Sequence, residues 1–487
     1  MFKALTCVGR RASGEKKKMV SNPDLKRVLP SDSSFTRHPS PVARPLVAFA
    51  LTALASLSSA DTLSLRDVLA EALANNPAYQ AARSDRAVAE NAHSSAGLAG
   101  YLPTVSATAR HTRSTLDTRQ ERDTVVTTDP AALSTTTSAG VVANWTLFEG
   151  FAAPLEQKRL RLRREQAEAA ERSAREELVR RAALAYADLA RQARLRRARD
   201  TVLAISEERT RILDSRLKSG SAGRPEWLEG RVDHNADRAA LLQQDAVLHA
   251  ARLAMARALG RPEPVAGLPA DVPLPTAALD LATLGADVEK RQPSLRLAEA
   301  ERDIARTALH QAAAPWYPRL EANVGYNYNL SSSEVGFASE SRTIGPTAGV
   351  QLTMNLFDGE LPWRVVGRGR LAVRSADLRL KEAETAVRSE VERAFAAWRA
   401  ADAAATLETE GLGFARENLD LTMTRWKSGT LSYLEARMAQ VKYLDAFTRA
   451  ENARYEAFRA RLDVLLAAGR MEQLLAEAGV TGSGAER

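Results

Sequence analysis

Cysteine is almost absent from this sequence of 487 residues: the one thiol is Cys7. Everything beyond it therefore lacks disulfides, thiolate metal ligands and a cysteine nucleophile. Aromatic residues make up only 5% of the chain, which argues against a compact aromatic core and favours long helices. After residue 60 no run of about 18 apolar residues occurs, so no transmembrane helix is available, and a membrane-embedded form would have to be a β-barrel. His93, His111, His234, His249 and His310 stand alone, without HExxH or Cys/His spacing, and no zinc site is expected. No GxxxxGK[ST] loop is present to cradle a phosphate. No paired carboxylates suggest a hydrolase. The expectation is a protein that is not an enzyme, with no catalytic residues, cofactor or metal, whose energy supply lies in a partner.

Net charge of one sign is also scarce once the N-terminus is set apart. The formal charge is +8, but residues 1–60 hold ten Lys/Arg against three Asp/Glu, leaving the remainder near +1. Basic residues up to Arg44 precede the apolar run LVAFALTALASLSSA at 46–60, which ends in small residues at Ser58 and Ala60. This reads as an export signal, residues 1–60, removed after Ala60. The basic region is long for such a signal, which makes Met19 an alternative start. Without a cysteine at the new N-terminus no lipid anchor is expected. The Arg-rich stretch at 159–181 is interleaved with Glu and Ala and reads as a solvated helix face, so no nucleic acid is expected.

What the chain does contain is a duplication. NPAYQAARSDRAVAE at 76–90 parallels QPSLRLAEAERDIAR at 292–306, WTLFEG at 145–150 answers MNLFDG at 354–359, and RLKSG at 216–220 answers RWKSG at 425–429. The last two pairs share one offset, 209. The expected organisation is a first repeat over 61–260, a Pro-rich linker at 261–282, a second repeat over 283–475 and a flexible tail at 476–487.

Each repeat reads as helix, strand, polar loop, strand, very long helix, turn, helix. Alternation of apolar and polar residues predicts strands at about 103–112, 138–148, 319–330 and 343–356, joined by polar loops at 113–136 and 331–342. In EANVGYNYNL at 321–330, Tyr326 and Tyr328 share one face while Asn323, Asn327 and Asn329 share the other. On the later strand Val350 and Leu352 oppose Gln351, Thr353 and Asn355. Runs of this length suit a tilted strand crossing a bilayer, with the Asn/Gln/Thr face toward a wet lumen. Helices are predicted at about 64–99, 154–218, 225–260, 293–314, 362–427 and 431–475. Leu178, Ala182, Ala185 and Leu189, and likewise Tyr455, Phe458, Leu462 and Leu465, recur at coiled-coil spacing. Four strands cannot close a barrel, whereas three chains would supply twelve.

The opening helix TLSLRDVLAEALANNPAY at 62–79, the paired LFEG and LFDG and the paired KSG turns, in this order within a duplicated chain, resemble the outer-membrane efflux protein (TolC-like) family. The resemblance spans essentially 61–475. It implies a mainly α protein with a membrane β-barrel: a homotrimer whose shared twelve-stranded barrel sits among outer-membrane lipid of a Gram-negative cell and whose helical hairpins form a tunnel into the periplasm. It further implies a passive duct for efflux of small molecules or drugs, or for type I secretion of polypeptides. The partners it implies are a periplasmic adaptor protein and an inner-membrane pump of RND or ABC type. By resemblance, the adaptor docks at the two turns, around Arg216, Lys218 and Gly220 and around Arg425, Lys427 and Gly429. The turn after Gly220 reads as three residues longer than that after Gly429, so the two seats are expected to differ. A constriction bearing two acids is implied just beyond the second turn; the matching positions are Glu435 and Met438, so one acid is present. Glu229 and Asp233 are further gate candidates. A ring of carboxylates there would make the closed tip sensitive to pH and divalent ions. The alternative reading is an elongated periplasmic coiled-coil scaffold without channel activity.

Overall fold

The computed structural model describes residues 63–122, 125–269, 279–335, 339–357 and 362–480. The expected signal, residues 270–278 of the proline-rich linker, residues 358–361 and the last seven residues lie outside that range.

The described chain runs α1 (Leu65–Asn75), α2 (Pro77–Ala99), β1 (Thr104–Arg122), β2 (Val125–Glu149), α3 (Ala152–Lys218), α4 (Arg224–Leu259) and α5 (Leu281–Arg291). It continues with α6 (Pro293–Gln311), β3 (Arg319–Ser333), β4 (Glu340–Thr353), α7 (Pro362–Lys427), α8 (Tyr433–Ala467) and α9 (Met471–Glu477). Helix α3 has 67 residues, which at 1.5 Å per residue is about 100 Å. Its interior has no glycine or proline to break it, and Arg161–Glu165, Arg164–Glu168 and Arg172–Glu176 pair along its length.

The helices lie side by side. α3 and α7 run the full length; α2 and then α4 pack along α3, and α6 and then α8 along α7, while α3 meets both α6 and α8. The order is thus α2–α3–α6–α7 near the sheet and α4–α3–α8–α7 farther away. The four strands form one antiparallel sheet in the order β1-β2-β3-β4. Each strand follows or precedes the helix holding the same place in the row, so the outer positions belong to α2, α4 and β1 on one side and to α7 and β4 on the other.

The duplication is visible where short helices abut end to end. The Asn76 side-chain amide donates to the Ala258 carbonyl at the end of α4 (3.0 Å), and that of Gln292 donates to the Ala467 carbonyl at the end of α8 (3.1 Å). Gly260 and Gly469, 209 residues apart, end these helices with φ of +76° and +65°. The main core lies here, with Leu69, Tyr186, Leu189, Met255, Leu462 and Leu465 buried together. A Cβ on Gly260 would lie 2.6 Å from the Asn75 carbonyl oxygen, whereas one on Gly220, at φ +74°, meets nothing within 4 Å. Gly220→Ala is therefore expected to cost only the left-handed backbone penalty, about 1–2 kcal/mol. Gly260→Ala adds a backbone clash and should lower the thermal midpoint several degrees further. Equal midpoints for the two variants in a melting scan would refute this reading of the junction.

Several expected boundaries change. The helix expected over 64–99 is two helices, because Pro77 lacks an N–H and pushes Asn76 into extended geometry (ψ 121°). Its counterpart α5 falls partly in the expected linker, and the helix expected over 431–475 stops at Ala467 before Gly469. The expected loop at 113–136 is mostly strand: β1 and β2 pair from Thr104↔Asn144 out to Arg122↔Val125. Its Thr, Ser and Val residues favour strand, but polar residues on both faces hide the alternation. β3 and β4 likewise extend to Ser333 and from Glu340. β4 ends at Thr353, not 356, since Thr353 pairs with Arg319 and Pro318 before it ends β3. Asn355 therefore lies beyond the strand.

Candidate functional site

Two places bring together the residues singled out above: the helical tip remote from the sheet, and the sheet itself. At the tip, α3 and α7 end in the same capping motif. Ser221 N–H donates to the Arg216 carbonyl (2.8 Å) and Gly220 N–H to Leu217 (3.1 Å); Thr430 N–H donates to Arg425 and Gly429 N–H to Trp426, both at 3.0 Å. Gly220 and Gly429 hold the left-handed position at +74° and +79°, where a side chain would strain the backbone. The next helices begin after N-caps Gly223 and Ser432, each three residues past its glycine. The expected difference in turn length is absent: Arg224 and Pro225 belong to the first turn of α4, where proline is tolerated.

The basic residues at the turns do different things. Lys218, Arg425 and Lys427 are exposed, and Lys218 pairs with Asp214 at 2.8 Å, a contact of little energetic weight in water. Arg216 turns inward. Its Nη2 donates to the carbonyls of Trp426 (3.0 Å) and Lys427 (3.2 Å), and its guanidinium lies over the Trp426 ring. A cation at the carbonyls of a helix C-terminus is favourable, so Arg216 ties the first turn to the second. Trp426 is fully buried with Leu213, Tyr433 and Ala436.

Of the three gate candidates, only Asp233 is built into a network. Glu229 is exposed. Glu435 completes a capping box at the start of α8, accepting from the Ser432 N–H and hydroxyl, both at 2.8 Å. The Ser432 backbone N–H, then its hydroxyl, hold the Glu435 carboxyl below the usual carboxylate range. It stays ionised well below neutral pH, and within one chain it gives the tip no sensitivity near pH 7. Asp233 accepts from the Tyr433 hydroxyl (2.5 Å) and pairs with Arg437 Nε (3.2 Å). One turn along α4, Asp237 accepts from Arg437 Nη1 at 2.8 and 3.1 Å and from Gln440 Nε2 at 3.3 Å. The Gln440 amide also donates to the Val202 carbonyl of α3 at 3.1 Å. Burial, then the bond to Asp233, push the Tyr433 phenol far above its ordinary value, so it remains a donor.

This clasp joins the α3–α4 hairpin to the α7–α8 hairpin. Tyr433, Arg437, Asp237, Gln440 and Trp426 were not legible as site residues. The sequence does show Asp-x3-Asp and Tyr-x3-Arg, each on one helix face, but nothing in it says that the two faces meet.

In the sheet, register assigns the faces. Asn323, Asn327 and Asn329 of β3 stand opposite Gly349, Gly345 and Thr343 of β4, and Gln351 and Thr353 stand opposite Glu321 and Arg319. All belong to one polar face, where Asn327 Nδ2 donates to Thr347 Oγ1 at 3.0 Å. The other face carries Val105, Val141, Val324, Tyr326, Ile344 and Val350, each about half or more exposed. From Ile344 to Leu352 this apolar face runs about 27 Å along the strand. With barrel tilt it approaches the roughly 25 Å band of outer-membrane proteins. Near the α3 end of the sheet, Phe148, Phe151 and Tyr317 stack edge to face. Among the described residues, β1 and β4 each have one edge without a partner.

The model of the family described as "Outer membrane efflux protein" matches residues 68–261 and 284–470. Among solved structures, a membrane protein from Pseudomonas aeruginosa aligns with TM-score 0.67 at 20% identity, covering 83% of this chain and 90% of the other. VceC, an outer membrane protein of Vibrio cholerae, aligns at 0.63 and 18%, covering 83% and 96%. The CmeC outer membrane channel of Campylobacter jejuni aligns at 0.69 and 14%, covering 85% and 89%. No curated protein matches the sequence at a significant level. The match to both repeats, with the shared fold of helix row and four-stranded sheet, makes this chain a member of the outer membrane efflux protein family.

Proposed function

We propose that three copies of this chain close into a passive duct through the outer membrane and periplasm, with cargo driven by an inner-membrane pump through a periplasmic adaptor. The observation that carries this reading is that the described chain is open on both sides in the same order. β1 and β4 leave unpaired edges. The outermost helices carry exposed apolar residues at coiled-coil steps, Leu371 and Leu378, then Leu407, Phe414 and Leu421 on α7, against Leu228, Val232, Leu242 and Leu253 on α4. An open edge and an apolar stripe on each flank are satisfied together by a ring in which β4 and α7 of one copy meet β1 and α4 of the next. A four-stranded sheet per copy then gives twelve strands, with Asn323, Asn327, Asn329, Gln351 and Thr353 lining water.

The paired turns support adaptor docking. Gly220 and Gly429 present equivalent seats, with Lys218, Arg425 and Lys427 exposed beside them, while Arg216 holds the seats together. The Asp233–Tyr433–Arg437–Asp237 clasp keeps the tip narrow, and Glu435, exposed on the first turn of α8, supplies the acid at the constriction. Efflux of small molecules and secretion of polypeptides both fit this duct. A scaffold without a channel would have no use for a half-exposed apolar face of bilayer height.

The native mass of the mature protein, extracted from membranes in mild detergent, tests the reading. The expected result is a trimer found only in the membrane fraction. A monomer recovered without detergent would overturn it.

A further inference from the structure

Among the described residues of the clasp region, Arg209 is a buried guanidinium with no acid bonded to it, although the charges of Asp233 and Asp237 act on it through space. It lies on α3 with 1% of its surface exposed. Its Nε and Nη1 have no hydrogen-bond partner, and its guanidinium only rests over the Tyr433 ring, 5.2 Å from the centroid. A buried guanidinium without a partner is costly, and burial pushes its pKa down from the ordinary value. Because the side chain is already sealed within one chain, a neighbouring copy cannot supply the missing acid.

The acids within the chain are close. Ser206 and Thr210, on either side of Arg209, reach His234 (3.5 Å) and the Gly230 carbonyl (3.3 Å) of α4, so Arg209 faces the stretch that carries Asp233 and Asp237. Gly230 lets Leu213 of α3 approach so closely that a Cβ there would lie 2.7 Å from it. α3 and α4 are thus fastened as one body. Tyr433 and Arg437 belong to the other hairpin.

We infer that Arg209 is the alternative partner of Asp233 and Asp237: when the α7–α8 hairpin swings away and removes Tyr433 and Arg437, the two carboxylates pass to Arg209. The exchange leaves no uncompensated acid in the open tip and relieves the strain of an unpaired cation in the closed one. Both states are then populated, as a bistable element requires. The inference rests on the reading of the clasp as the closing device, and the experiment separates the two.

Single-channel recordings on reconstituted trimers would compare wild type, Arg437→Gln, Arg209→Met and the double variant, with trimer yield on native gels as the control for folding. Arg437→Gln is expected to raise the open fraction. Adding Arg209→Met should lower it again by roughly tenfold, the scale of one charge-assisted hydrogen bond, and Arg209→Lys should restore it. If Arg209→Met instead raises the open fraction, or leaves the Arg437→Gln phenotype unchanged, Arg209 is a packing residue and the exchange is wrong. If Arg437→Gln itself leaves intact trimers closed, the clasp reading fails first. Loss of trimers in Arg209→Met with recovery in Arg209→Lys would assign the charge to assembly and also overturn the exchange.

Discussion

Tyr433→Phe combined with Arg437→Gln is expected to open the periplasmic tip, raising the open fraction of reconstituted trimers by roughly a hundredfold or more. The magnitude follows from what the two side chains hold. Arg437 donates to both oxygens of Asp237 and pairs with Asp233, with side chains only 20% and 10% exposed for the Arg437–Asp237 pair. Breaking a pair buried to this degree costs about 3–5 kcal/mol because a charge is left without its partner. The Tyr433 hydroxyl adds one bond to a charged acceptor, worth about 1.5–3 kcal/mol. Not all of this appears as opening, since the tip keeps the Arg216 bridge to Trp426 and Lys427. The measurement is conductance in planar bilayers, checked by uptake of a bulky antibiotic in cells. Intact trimers with wild-type conductance would show that the clasp stabilises the fold without closing a pore.

The second large effect separates neighbouring residues of one strand. Val350→Arg is expected to impair membrane assembly, while Gln351→Arg leaves assembly intact and shifts ion selectivity toward anions. Val350 lies on the apolar face, 71% exposed in the single chain and opposite Ala322. Gln351 points the other way, with its amide 3.3 Å from the Thr353 hydroxyl. An arginine facing lipid near mid-bilayer costs about 2–4 kcal/mol, and one facing water costs little. Trimer yield from membranes and reversal potentials in a salt gradient read the two effects. Equal loss of assembly in both variants would refute the assignment of faces.

Much of the architecture was legible because it is written in short-range periodicity. The 209-residue offset between LFEG and LFDG and between the two KSG turns appears in the structure as two capped turns of the same geometry and two glycine-ended helices at equivalent junctions. The strand faces of EANVGYNYNL followed from parity alone. Misread elements share a physical cause. Pro77 and Gly469 interrupt helices whose apolar spacing continues across the break, and residues 113–122 and 125–136 lie in strands without one apolar face. The turn after Gly220 looked longer because Arg224 and Pro225 read as loop, yet proline there begins the helix.

The candidate site was less legible. Glu435 and Asp233 stood out as acids near a turn, but one caps its own helix and the other bonds to a residue 200 positions away. Composition, helical and strand periods and the repeated motifs were enough to establish a duplicated chain of long helices and bilayer-length strands, since those properties depend on neighbours a few residues apart. Which charges are paired, which arginine reaches across to cap its neighbour and which is buried without a bonded acid were decided only when the hairpins packed together. Hydrogen bonding and desolvation act between side chains brought within about 3 Å of each other, and no spacing along the chain records that approach.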